Sequence, residues 1–288
     1  MPSALQADMD PAVVGLPAST AIAGLLAVGA TAIDTLIDLN ISPQHDTAIL
    51  NLFLREVKEC RSSIHALCKT LSLIENAQIP FPVRATWIGL DELVATLTDT
   101  VLAFSRVYSL CCALDEEAAR SSPEDATRHL EKRIKALCAR VRWHNLSIAM
   151  MMTVINCPGE KDAKNSRDEL AHRISRLLTF NVGLASRLRS GSRPGSSAAK
   201  PPSPGAQPTE TSAIARAEVG PTPGSWPSNS GTLADRKAIP RLILPITLEE
   251  LRDDFEYYIP DIPEQVGGCD FVTGGVLVGT SYQFTPAR

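Results

Sequence analysis

Apolar positions recur in steps of three and four along most of the first two-thirds of the chain, and each run that keeps this step predicts a helix. Over residues 43–76, Leu50, Phe53, Val57, Cys60, Ile64, Leu67, Leu71 and Ile74 follow a heptad step. That spacing puts them on one face and leaves Arg55, Glu56, Lys58, Glu59 and Arg61 off it. The run Gln78-Ile79-Pro80-Phe81-Pro82 stops the helix, because proline lacks the N–H that the ladder needs. Residues 85–114 repeat the step with Leu90, Val94, Leu97, Val101, Phe104, Tyr108 and Cys111. The next helix opens on Ser122-Pro123-Glu124-Asp125, a capping hydroxyl followed by proline and acids at the positive helix end. It runs to residue 155 with the seam Leu130, Ile134, Leu137, Val141, His144, Ile148, Met151 and Ile155. Pro158-Gly159 ends it, and residues 165–189 carry a last seam of Leu170, Ile174, Leu177, Asn181, Leu184 and Leu188.

Residues 18–40 differ. The stretch 12–33 holds no charge and is long enough to raise the question of a membrane span. Pro17 marks a helix start, while Ser19, Thr20, Gly24, Gly29 and Thr31 dilute the hydrophobicity, and no Lys, Arg, Trp or Tyr anchors the ends. The expectation is a central bundle helix with Ile22, Leu26, Ile33 and Ile37 on its richest face; peripheral membrane contact is the alternative.

Together these runs predict an all-α fold, an antiparallel bundle of four to five long helices over residues 9–190. Residues 191–231 are rich in Ser, Pro, Gly and Ala and read as a disordered linker, since they bury too little apolar surface to offset ordering entropy. Residues 232–288 read as a short, weakly ordered acidic tail, with one short helix expected at Thr247-Leu248-Glu249-Glu250-Leu251.

Sparse aromatic content, 5 % of the chain, suits helix packing better than a β-sandwich core. The formal net charge of −4 gives no bias toward nucleic acid. Charge is unevenly placed, however. Lys132, Arg133, Lys135, Arg140, Arg173 and Arg176 mark a candidate basic contact face on the late helices, a stretch that also holds Arg187. Glu249, Glu250, Asp253 and Asp254 mark a candidate acidic docking tail. Either the tail folds back on the basic helices or acidic lipid headgroups take the same face.

The seven cysteines include no C-x-x-C pair and fall mostly inside helical runs, so they read as small buried hydrophobes in a reducing compartment. No phosphate-binding loop, zinc helix or nucleophile elbow is present, so no catalytic, cofactor-binding or metal residue is assigned. His144 lies on an apolar seam, and Asn181, also on a seam, is its expected structural partner, fixing register. With Arg55 the first basic residue and Asp8 and Asp10 near the start, the chain has no secretory signal, which points to a cytoplasmic protein that is open to membrane association.

Several segments carry a family resemblance. They are Met9-Asp10-Pro11 before an Ala/Gly-rich helix, Trp87-Ile88-Gly89-Leu90-Asp91-Glu92-Leu93, and Asn145-Leu146-Ser147-Ile148-Ala149-Met150-Met151. Ser166-Arg167-Asp168-Glu169-Leu170, Asn181-Val182-Gly183-Leu184 and, after the linker, Leu244-Pro245-Ile246-Thr247-Leu248-Glu249-Glu250-Leu251 extend it. The chain resembles the fungal N-terminal helical domains that precede STAND (signal-transducing nucleotide-oligomerising) and ankyrin-type proteins, the HeLo-like group. The resemblance implies a non-enzymatic interaction or adaptor module of fungal intracellular signalling, with a protein partner or self-association. It also implies an alternative, a membrane-perturbing domain acting through the apolar first helix.

Overall fold

In the computed structural model the heptad run of residues 43–76 folds as α2 (Thr47–Glu75), and every one of its seam residues is buried. The structure describes residues 13–41, 47–118, 124–191 and 231–251. Asp253, Asp254, Cys269 and the linker stretch 192–230 lie outside the described residues. α2 stops before the expected prolines. Ala77 adopts a left-handed φ of 59°, which turns the Ala77 N–H onto the Ile74 carbonyl and the Gln78 N–H onto the Leu73 carbonyl. This paired closure caps the helix end. Pro82 then opens a short 3₁₀ helix, Pro82–Trp87.

The centre of the bundle is α3 (Leu90–Ala118), in which residues 93–100 are all buried. It begins at Gly89, whose N–H donates to Glu92 Oε2 at 2.8 Å; the other oxygen of Glu92 meets Arg167 Nη1 of the fifth helix at 3.0 Å. Two seam positions expected inside α3 are not fully so: Tyr108 is exposed and Val101 half-buried, while Val107 and Leu110 point inward.

The expected face of the first helix is corrected in part. In α1 (Ala18–Ile41) the buried stripe is Ala21, Ile22, Leu25, Gly29, Ala32, Leu36 and Leu39. Leu26 and Ile33 are only half-buried and Ile37 is exposed. Close approach, rather than side-chain hydrophobicity, selects the face. A Cβ on Gly29 would stand 3.1 Å from Arg61 Cδ and 3.2 Å from Phe104 Cε1, so α2 and α3 pack directly on the α1 backbone there. Both α1 and α3 are long and apolar enough to cross a membrane by length and composition, but 67 % of the α3 stretch is buried against 33 % of the α1 stretch.

α4 (Glu124–Asn156) buries its seam from Ile134 to Ile155, His144 included. Arg84 closes its end, with the guanidinium against the carbonyls of Cys157 and Pro158 and stacked on the Phe81 ring at 4.3 Å. The single helix expected at residues 165–189 starts earlier and is broken in two. α5 (Glu160–Phe180) starts after Gly159 with Glu160 and Asp162 in its first turn, and α6 (Val182–Gly191) follows. Asn181 makes the break: its backbone leaves the helical region (φ −108°, ψ 75°) and its Oδ1 accepts the Leu184 N–H at 3.0 Å. Asparagine competes for backbone donors in this way and favours caps over helix interiors.

Of the tail expected over residues 232–288, the structure describes only the first part, and residues 252–288 lie outside the described residues. Residues 231–251 form part of the same folded unit as the bundle rather than a loose tail. β2 (Ile243–Thr247) pairs antiparallel with β1 (Val13–Pro17), Val13 opposite Thr247 and Pro17 opposite Ile243. The Ala18 N–H at the head of α1 donates to the Leu242 carbonyl at 2.9 Å. Leu233, Ile239, Leu244 and Ile246 are buried, and β2 packs on α1, α3 and α6. Upstream, Leu90 N–H donates to Gly231 O and Leu233 N–H to Ile88 O, both at 3.0 Å. The short helix expected at residues 247–251 is α7 (Leu248–Leu251).

Candidate functional site

The densest set of ionisable and hydrogen-bonding side chains is built on one stretch of α4, residues 140–147, whose neighbours lie on three sides. Helical spacing divides the work. Arg140 and His144, four apart, face α3. Arg142 and Asn145 face α2, and Trp143 and Ser147 face α5.

Toward α3, Asp99 is fully buried and forms an ion pair with Arg140 Nη2; His144 Nε2 lies 2.8 Å from the same Asp99 oxygen. Burial opposes ionisation of Asp99, but the Arg140 guanidinium and His144 outweigh it and hold the carboxyl below the usual range. Burial keeps His144 neutral, lowering its pKa against the pull of Asp99, and Arg140 and Arg173 act in the same direction as burial. Among the described residues His144 Nδ1 meets no hydrogen-bond partner, so a second ring proton would find no acceptor among them.

Toward α2, Arg142 Nη2 and Nε reach Glu56 Oε1 at 2.6 and 3.2 Å, and Ser63 Oγ lies 2.6 Å from Asn145 Oδ1. Toward α5, the Arg173 guanidinium stacks 3.7 Å from the Trp143 ring centre. It also donates to the Trp143 carbonyl at 3.0 Å and to Ser147 Oγ at 3.3 Å. Burial lowers the Arg173 pKa to about 10, which leaves it charged at neutral pH.

Chemically, Asp99 and His144 have the residue types of an acid–base pair, but Asp99, His144 and Arg140 are 0, 1 and 3 % exposed. The cluster is enclosed between α3 and α4, where Asp99 Oδ2 meets both Arg140 and His144. The arrangement can fix the register of α2, α3 and α5 on α4.

The candidate basic face divides accordingly. Lys132, Arg133 and Lys135 are exposed on the early part of α4, with Lys135 Nζ 4.0 Å from Glu131. Arg140 and Arg173 are removed from the face, since both are buried in the hub, and Arg176 is half-buried at 5.5 Å from the Trp143 ring. The expected His144–Asn181 pair is also corrected: His144 meets Asp99, and Asn181 caps α6. Of the acidic residues, Glu249 is exposed, whereas Glu250 is buried and joined to Arg187 Nη2 at 2.6 Å. Asp253 and Asp254 fall outside the described residues.

Sequence reasoning passed over Asp99, Glu56 and Trp143. A signal for Asp99 existed: it is the lone acid between Leu93 and Leu114, and Arg140 and His144 stand one helical turn apart. Cys60, Cys111 and Cys138 are buried, and burial pushes their thiols up, those of Cys111 and Cys138 to about 12, so they stay protonated and pack as small apolar groups. Among the described residues no group of His, Cys, Asp and Glu is placed to hold a metal ion. Compared with protein-family models, curated proteins and solved structures, the chain finds no match.

Proposed function

We propose that this chain is a non-enzymatic helical interaction module, an adaptor of the kind found in fungal intracellular signalling and related to the HeLo-like domains its sequence resembles. The observation that carries this reading is the closure of the Asp99–Arg140–His144 cluster between α3 and α4, which spends the most chemistry-bearing residues on helix packing. What the bundle turns outward is charge: Lys132, Arg133 and Lys135 form an exposed basic row suited to an acidic protein surface. The test is capture of partners from the native host by the intact chain and by a Lys132→Glu/Arg133→Glu/Lys135→Glu variant. The variant should keep its helical circular dichroism and lose the captured partner. Unchanged capture would remove this row from the contact.

One observation favours a second reading, a membrane-perturbing domain acting through α1. The α1 stretch is apolar along a membrane-spanning length, yet only a third of it is buried. Ala23 and Ala27 lie on its outer side. Leakage of anionic vesicles that Ala23→Lys/Ala27→Lys abolishes in a still-folded protein would favour this reading, and absence of leakage by the unmodified chain would dismiss it.

A further inference from the structure

The segment that completes the fold sits in a seat with the parts of a peptide-recognition site. β1 supplies a main-chain template, pairing with β2 from Val13–Thr247 to Pro17–Ile243. β2 packs on α1, α3 and α6, and its Leu244 and Ile246 are 0 and 1 % exposed. Two arginines read the acidic end: Arg187 Nη2 meets Glu250 Oε1 at 2.6 Å, and Arg106 Nη2 donates to the Glu250 main-chain carbonyl at 3.1 Å. That end arrives prefolded. The Thr247 N–H donates to Glu250 Oε2 at 3.0 Å and the Glu250 N–H to Thr247 Oγ1 at 3.2 Å, a reciprocal capping box.

Connectivity adds a second observation. Residues 192–230 stand between Gly191, at the end of α6, and Gly231. A chain of that length reaches on the order of 100 Å when extended, yet α6 already touches β2. The link is far longer than the connection requires.

We propose that this seat is an exchangeable docking site. Its occupant in the resting chain is the chain's own segment 231–251, and it takes the same class of segment supplied in trans: an extended apolar strand closing on a capped, acidic turn. Seated, the segment fixes the start of α1 through the Ala18–Leu242 hydrogen bond and covers apolar surface on α1 and α3. Released, it leaves the β1 edge and that surface open to a competing strand. The inference rests on the interaction-module reading for its purpose, as the control over when that surface is shown.

The test uses the full chain with a protease recognition sequence inserted within residues 192–230, cut after folding, and a fluorescent synthetic peptide of residues 231–251. The labelled peptide should replace the cut segment saturably, a scrambled peptide should not, and raising salt should weaken binding. Arg187→Ala should weaken it on the order of tenfold, because a largely buried charge-assisted bond is lost. Failure of the peptide to enter a cut protein that remains folded would overturn the proposal. So would unfolding of the bundle when the cut segment is removed, which would make the segment a permanent part of the core. The exchange is read on purified protein without a partner, so its failure leaves partner capture through the α4 row standing, and the reverse holds equally.

Discussion

Asp99 shows how far one residue governs the bundle. It is fully buried, and its charge is met by Arg140 with His144 alongside. Removing one member of such a pair strands the other charge in the interior, so Asp99→Ala should cost about 3–5 kcal/mol in urea unfolding. Acid should act on the same cluster in two stages. His144 is held neutral in the fold, so below its ordinary value of 6.5 the unfolded chain binds a proton that the folded chain refuses. Stability is then full above about pH 6.5 and falls as pH drops below it, by up to about 1.4 kcal/mol per pH unit. Asp99 contributes the second stage. Its depressed carboxyl stabilises the fold above the ordinary value of 3.8, and that contribution is lost as pH falls through its folded-state value. The groups facing His144 are Asp99 on α3, Arg140 on α4 and Arg173 on α5. Unfolding midpoints measured between pH 5 and 8 should therefore decline toward pH 5 for the natural protein and stay nearly flat over that range for His144→Gln. An equal decline in both would assign the acid response to other groups.

Elements with a regular seam were legible in the sequence, and elements chosen by close packing were not. α2 buries every residue its heptad step predicted, because a long stripe of large side chains has one face to bury. α1 has no such stripe. Its buried face was decided by Gly29 lying against Phe104 and Arg61, a contact that no pattern within α1 records. The break at Asn181 was hidden because the residue falls on a seam position; its capping geometry, with the Leu184 N–H on Oδ1, competes with the helical one. The end of α2 carries its own test. Ala77 holds a left-handed φ of 59°, a conformation that costs an L-residue and not glycine. Ala77→Gly should raise stability by about 1 kcal/mol, seen as a higher thermal midpoint with unchanged helical content. A lower midpoint would mean that the closure is not strained.

At the scale of the whole molecule, the pairing of β1 with β2 was the least legible feature. Val13 and Thr247 lie near opposite ends of the chain, and neither five-residue strand carries a pattern that names its partner. Glu250 was marked as a docking acid and Arg187 as part of the basic stretch from charge alone, while their pairing emerged only once α6 and α7 were placed. The hub on α4 belongs to this scale too, since it ties α2, α3 and α5 to one helix. On the function proposed above, this hub serves the packing of the helices. The most direct measurement replaces it with apolar groups of similar size, Asp99→Leu/Arg140→Met/His144→Leu, and follows both urea unfolding and partner capture. A buried ion pair replaced as a set by packed apolar side chains leaves stability near neutral or raises it. The variant should fold and capture the same partner as the natural chain. A variant that folds as well and captures nothing would contradict it, and would return Asp99 and His144 to the list of functional residues.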